Sequence, residues 1–134
     1  MLTMDDLFGP DEPSATFHDA YVQRIRIDYG ARRFDAIVSV SVEDPGAADY
    51  ARRERYRTGR LTVEGLRCWC MESWAVTGEP LWLTGDGFLG DAPTEAGKSL
   101  ATQHVGAAVR WWLFFSDLNA FAYLVGERAS FAWE

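Results

Sequence analysis

Alternating apolar and polar residues in the first third of the chain predict a β-hairpin. Residues 21–29 place mostly apolar side chains at odd positions with charged ones between them, and residues 34–42 alternate again after a short polar turn. The alternating apolar positions are Ile25, Ile27, Tyr29, Phe34, Ala36, Val38, Val40 and Val42. Because successive side chains of a strand point to opposite faces, the pattern predicts two antiparallel strands with one buried face and one face in water.

A change in the apolar pattern around Gly65 predicts an irregular strand. The apolar positions are odd-numbered at Leu61 and Val63 but even-numbered from Leu66 onward, and Gly65 lies where the parity changes. Glycine at such a change is typical of a β-bulge, which inserts one residue and redirects the strand. The alternative is a strand break at Gly65 with a new strand over residues 66–76, and the pattern does not decide between the two.

The second half of the chain predicts shorter strands separated by loops. These strands are expected over residues 109–115, 120–125 and 129–133. The first of them is apolar on both faces apart from Arg110, as expected for a central strand that is covered on both sides. Residues 77–99 are rich in glycine and proline and predict a long loop that contains at most a short strand over 81–83. Residues 99–108 fit either a helix or a strand.

The segments together predict a mainly β fold, all-β or α+β. The expected architecture is an antiparallel sheet of about six strands, curled or packed as a sandwich, with one or two short helices. The α+β variant applies if residues 99–115 are helical. The length of 134 residues suits a single domain. Residues 1–16 form an acidic N-terminal lead, in which Thr3 could cap a helical turn.

An excess of acidic residues limits the partners that the chain is expected to bind. Its 20 acidic and 13 basic residues give a net charge of −7. Nucleic acids and anionic membranes attract basic surfaces, so neither is expected as a partner. The chain begins without the basic and apolar regions of a secretory signal, and no apolar run approaches the ~20 residues of a membrane helix. A cytoplasmic protein is therefore expected.

A cluster of arginines before the third expected strand is an exception to this acidity. Arg52, Arg53 and Arg55 lie close together in a polar segment. They are candidates for contact with an acidic protein or with phosphate, since the guanidinium group suits both. The simpler interpretation is an exposed turn whose arginines balance the acidic lead.

Histidine and cysteine, which often carry catalysis or bind metals, are few in this chain. His18 and Asp19 are a candidate acid–base pair, and His104 is the only other histidine. Adjacent strand residues point to opposite faces, so a structural role is favoured for the pair. Cys68 and Cys70 are the only cysteines and are expected to be unbridged thiols on one strand face. The spacing of these residues matches no metal motif, so no metal and no cofactor is expected.

Tryptophan is unusually frequent for a chain of this length, with six residues. Large aromatic rings are most often buried, so the first interpretation is a core built on them. Trp82, Trp111 and Trp112 are also candidates for a groove or a partner surface, where tryptophan is enriched.

The residues that begin the first expected strand form a short motif. It runs Phe17-His18-Asp19-Ala20 and continues with Val22, Ile25, Ile27, Asp28, a turn and a valine-rich strand. This motif resembles a set of small bacterial proteins of unknown function, some of which are grouped with immunity proteins of polymorphic toxin systems. Residues 63–66, Val-Glu-Gly-Leu, look similar to the next element of such proteins. The resemblance implies a cytosolic binding protein and transfers no catalytic residue.

Three functions are compatible with these patterns. The favoured one is a non-catalytic protein-binding module of the immunity type. A small-molecule-binding or enzymatic β domain would need a pocket lined by tryptophan and a titratable group with a shifted pKa. A structural homo-oligomer would cover the second apolar face of residues 109–115 with another subunit.

Overall fold

The computed structural model describes residues 1–43, 48, 55–73 and 75–134. Within these residues eight strands form one antiparallel sheet: β1 Thr16–Asp28, β2 Arg33–Ser41, β3 Tyr56–Glu64, β4 Cys68–Met71, β5 Leu81–Phe88, β6 Val109–Phe115, β7 Ala120–Gly126 and β8 Arg128–Trp133. One α-helix, α1, spans Glu95–Gln103, and short 3-10 turns span Asp5–Leu7 and Leu89–Asp91. The strand order is β4-β7-β6-β5-β1-β2-β3-β8. The mainly β, antiparallel fold expected from the sequence is thus confirmed.

The sheet curls because two pairs of strands bend at a shared corner. Gly65 follows β3 with a φ of 62°, a conformation that favours glycine, and the chain then turns into β4. Next to it, Glu127 joins β7 to β8. Its backbone N–H donates to the carbonyl of Glu64 at 3.0 Å, and that of Arg67 donates to the carbonyl of Val125 at 2.8 Å. Eight strands are present where about six were expected, because β4 is a separate strand after Gly65 and β5 occupies part of the predicted long loop.

The β1–β2 hairpin is present as predicted, but β1 is less regular than its sequence pattern. Its register against β2 shifts twice, between Thr16 and Tyr21 and between Val22 and Arg24. Val22 and Ile25 therefore both point inward although their parities differ. Gln23, expected on the buried face, is exposed. Bulges of this kind bend a strand and increase its twist locally.

The inner face of the curled sheet forms the main core. Alternate residues of β2, β3 and β6 point into it: Phe34, Ala36, Val38, Val40, Leu61, Val63, Val109, Trp111, Leu113 and Phe115. Gly59 lies under the ring of Phe131, where a Cβ atom would collide with that ring. The absence of a side chain at Gly59 therefore lets β8 pack closely against β3.

The segment 77–99 differs from the predicted long loop. It contains β5, the turn Leu89–Asp91 and the first part of α1. Glycines at positions 85 and 87 are typical of a loop, but in the structure they lie against the Trp112 ring. A Cβ atom at Gly87 would collide with that ring, and one at Gly85 would be in tight contact with it. Residues 99–108, which fitted either state, contain the end of α1, whereas β6 that follows is a strand.

Helix α1 packs on the outer face of β6 and β7. The Thr94 hydroxyl accepts a hydrogen bond from the N–H of Gly97 at 3.1 Å and caps the helix. Beneath the helix a second, smaller apolar cluster contains Leu89, Ala107, Tyr123 and Val125. The helix thus covers the second apolar face of this part of the sheet. None of the described helices is both long and apolar enough to span a membrane.

The N-terminal segment, residues 2–8, lies across one end of the sheet. Met4 is 1% exposed, and the indole N–H of Trp111 donates to the carbonyl of Leu2 at 2.8 Å. The ring of Phe8 lies 4.6 Å from that of Phe17, centroid to centroid. The Thr3 hydroxyl accepts from the N–H of Asp6, as expected of a capping residue. The acidic lead is therefore part of the packed structure.

Candidate functional site

The His18–Asp19 pair is closer than strand geometry alone predicts. Asp19 has a φ of 64°, which breaks the alternation of side chains in β1. As a result, Nε2 of His18 lies 3.6 Å from Oδ2 of Asp19, and the expectation that the two side chains point apart is wrong. The side chains are 61% and 46% exposed, so water screens their interaction strongly. This geometry favours a loose surface pair over an oriented catalytic dyad.

Asp86 is a carboxylate on the inner face of the sheet. It pairs in register with Leu113, a core residue, and it lines a cavity of about 260 Å³ with Met4, Asp5 and Trp111. Burial raises the pKa of Asp86, and the neighbouring Asp5 raises it further, while His18 opposes both. Sequence reasoning missed this residue, because the glycines on either side of it indicated a loop.

The cavity at Asp86 offers little for catalysis. Asp5 is already engaged, since its carboxylate accepts from the Thr16 hydroxyl and the Phe17 N–H, both at 2.9 Å. Two of the lining residues, Met4 and Trp111, are almost fully buried and belong to the core. The N-terminal segment, which Asp5 anchors to β1, therefore forms one wall of the cavity.

The remaining histidine and the two cysteines lie in other parts of the fold. His104 caps the C-terminal end of α1 through its backbone N–H. Cys68 and Cys70 are free thiols on β4, the first half-buried and the second exposed. Burial raises the pKa of the Cys68 thiol, which disfavours a reactive thiolate. Within the described part of the chain, no three His, Cys, Asp or Glu side chains are grouped so that they could hold a metal ion.

The arginine candidates divide into one that is paired and two whose positions are not described. Arg55 donates two hydrogen bonds to Glu12, at 2.8 and 2.9 Å, and Arg57 donates a third at 3.0 Å. Arg55 and Arg57 thus pair with a carboxylate of the acidic lead. Arg52 and Arg53 lie outside the described residues.

The tryptophan candidates also have different environments. Trp111 is 1% exposed and belongs to the core, so it cannot contact a partner. Trp112 is half-buried beneath α1, and its indole Nε1 has no hydrogen-bond partner within the described residues. Trp82, on β5, is 40% exposed. Of the three, only Trp82 is available for binding.

Trp82 belongs to an exposed aromatic patch, which also contains Tyr21 and Tyr56. Trp82 and Tyr21 are cross-strand neighbours of β5 and β1, with ring centroids 6.2 Å apart and nearly parallel planes. The Tyr56 ring lies 5.7 Å from that of Tyr21. The three rings therefore form one continuous patch on the outer face of the sheet, opposite the core.

An arginine row lies beside the aromatic patch on the same outer face. Ile37 of β2 pairs in register with Arg24 of β1 on one side and with Arg60 of β3 on the other. Both arginines are exposed, as is Arg26 farther along β1. None of the three has an ion-pair partner among the residues that the structure describes, although Arg60 lies near Asp35. Sequence patterns could not find this row because it depends on the register of three strands.

Comparison with known protein families, curated proteins and solved structures finds no match to this chain. The resemblance of the motif that begins with Phe17 to small bacterial immunity-type proteins therefore stays a prediction.

Proposed function

We propose that this chain is a non-catalytic protein-binding module that binds an acidic surface of a partner protein. The contact surface is the outer face of β5, β1, β2 and β3. The observation that carries the proposal is the juxtaposition of the aromatic patch with the arginine row. The resemblance at the first strand supports an immunity-type module and a cytoplasmic location.

The composition of this face is that of a binding hot spot. Tryptophan, tyrosine and arginine are the residue types most enriched where protein interfaces gain their energy. Here they occur together on a sheet, whose rigid backbone limits the entropy lost on binding. Ile37, flanked by Arg24 and Arg60, adds an apolar centre to the charged end of the surface.

The charge of this face differs from that of the chain as a whole. The chain carries a net charge of −7, whereas Arg24, Arg26 and Arg60 lie together on one face. The carboxylate beside them, Asp35, is already paired with Arg33 at 2.9 Å. Electrostatic complementarity then favours an acidic partner and accelerates its association. The attraction should weaken as salt screens charges over about 8–10 Å.

An affinity capture with matched variants tests the proposal. The tagged chain is mixed with an extract of the cells that encode it, and the captured proteins are identified. Tyr21→Ser with Trp82→Ser removes the aromatic patch, and Arg24→Glu with Arg60→Glu reverses the charge of the arginine row. We expect an acidic partner whose affinity falls at least about tenfold with either pair of changes.

Two controls lie on other parts of the surface. Val105→Ser removes an exposed apolar residue that follows α1, and Lys98→Glu reverses a charge on α1. Both should leave the captured partner unchanged. Capture that is insensitive to the two outer-face pairs, or equally sensitive to the controls, would refute the proposed surface.

A further inference from the structure

The sheet is incomplete between β1 and β4. β5 pairs with β1 only over Ala20–Val22, because β5 begins at Leu81, the residue opposite Val22. The rest of β1, residues 23–28, pairs with β2 on one side, and no described strand pairs with its other side. β4 pairs only with β7 among the strands that the structure describes. Two strands therefore present free edges at the same end of the sheet.

Two clefts follow this free edge of β1. One, of about 500 Å³, lies between residues 22–25 and residues 75–81. The other, of about 320 Å³, lies between residues 27–29 and residues 66–69. β1 forms one wall of both clefts, and we call the two together the β1 groove.

The floor of the β1 groove is apolar. Ile25 and Ile27 of β1 point inward and pack against the core while remaining half-buried, and so do Leu66 and Trp69. The Trp69 ring lies 5.0 Å from that of Phe34, a core residue. The groove thus leads from the surface to the core, and an additional apolar side chain in it would bury further area.

We propose that the β1 groove binds an extended segment of the partner protein, which adds to the sheet as a strand beside β1. The inference rests on the proposed function and specifies its mode of binding. A strand edge offers unpaired N–H and C=O groups that an extended peptide can match, and alternate side chains then provide specificity.

The two faces of β1 specify the sequence of that segment. Side chains opposite Ile25 and Ile27 would face the core and should be apolar. Those opposite Arg24 and Arg26 would face outward and should be acidic, because neighbouring strands place facing side chains on the same side. The expected segment alternates apolar and acidic residues and lacks proline, which would remove a backbone donor.

Most of the other charges beside the groove are engaged within the chain. Arg32 and Arg67 both lie 3.8 Å from the Glu127 carboxylate. Asp28 accepts the N–H of Ala31 at 2.9 Å and so belongs to the hairpin turn. Glu79 lies on the opposite wall and is the one acidic group there that would face an acidic peptide.

Selection from a displayed library of random peptides, each of about twelve residues, tests the inference on the intact chain. We expect the enriched peptides to alternate apolar and acidic residues. N-methylation of alternate backbone nitrogens on one edge of a selected peptide should weaken binding at least about tenfold, whereas methylation of the other edge should not. Arg24→Glu with Arg26→Glu should weaken it similarly, and Lys98→Glu should not.

Hydrogen exchange of the complex locates the peptide. New protection of amides within residues 23–28 supports strand addition. Absence of enrichment, enriched peptides without alternation, or protection elsewhere would overturn it. If the chain dimerises by itself and a selected peptide dissociates the dimer, the occupant is a second copy and the proposed partner segment is wrong.

The outcome for the groove is separable from that for the proposed function. Tyr21→Ser with Trp82→Ser should weaken capture of the whole partner but leave peptide binding within about twofold, because the patch lies outside the groove. If no peptide binds but capture of the partner still depends on the aromatic patch, the β1 groove is rejected and the binding function is retained. Peptide binding with no partner captured would reject the binding function and retain the groove.

Discussion

The two ends of the curled sheet differ in how far the chain covers their apolar core. At the β8 end, the N-terminal segment covers the core, and Phe8 packs against Phe131 and Trp133 with ring centroids 4.9 and 5.6 Å away. At the β1–β4 end, Ile25 and Ile27 stay half-buried beside an open groove. The same sheet thus completes its core from its own chain at one end and leaves it accessible at the other.

This contrast connects stability with binding. A covered core stabilises the monomer, since buried apolar area is the main favourable contribution to folding. A partly open core contributes less to stability, and the unpaired edge of β1 beside it is a template for pairing with another chain. We therefore expect substitutions at the covered end to affect folding most and those at the open end to affect binding most.

The largest expected effect on stability is at the covered end. Met4→Ala removes a side chain that is 1% exposed and should lower the free energy of unfolding by about 2–5 kcal/mol. Ile27→Ala at the open end should cost about 1 kcal/mol or less, because Ile27 is half-exposed and its site can collapse. Urea unfolding of both variants measures the difference, and equal losses would mean that the two ends are equally packed.

A smaller difference is expected between two neighbours at the open end. Ile25→Asp places a carboxylate against the core and should cost about 1–3 kcal/mol. Arg24→Asp changes an exposed residue on the opposite face and should stay within about 0.5 kcal/mol. Thermal unfolding of the pair checks the register of β1. If Arg24→Asp proved the more damaging, the register would be wrong.

The smallest expected change is a gain in stability at Asp86. Burial, reinforced by Asp5, raises its pKa. The folded protein therefore holds this proton more tightly than the unfolded chain, so stability declines as pH rises above the ordinary carboxyl value near ~3.9. Asp86→Asn should raise the melting temperature by about 2–5 °C at pH 7 and have a vanishing effect near pH 3. A lower melting temperature at pH 7 would show that the carboxylate stabilises the fold.

Sequence patterns predicted best where neighbours in sequence are also neighbours in the sheet. The β1–β2 hairpin follows directly from alternation, and Gly65 marked the corner correctly as a change of direction. No glycine indicated the bulge at Asp19, because the aspartate itself adopts a φ of 64° there. The glycines that flank Asp86 led to the prediction of a loop where β5 lies. Their place in the strand depends on contact with Trp112, which is distant in sequence.

The candidate site was less predictable than the fold for the same reason. Trp82 was identified from residue type alone, but Tyr21, Arg24 and Arg60 form a surface with it only through the pairing of four strands. The arginine candidate Arg55 proved to be paired with Glu12 across a long sequence separation. Patterns within one segment cannot show such long-range pairs.

Hydrogen exchange of the free protein tests the open end of the sheet most directly. In a strand that is paired on one side only, amides that point to the partner exchange slowly and those that point away exchange fast. We predict alternating slow and fast exchange along residues 23–28, and uniformly slow exchange along β2 and β6, which are paired on both sides. Uniform protection of residues 23–28 in the monomer would show that this edge is already covered and would contradict the open groove.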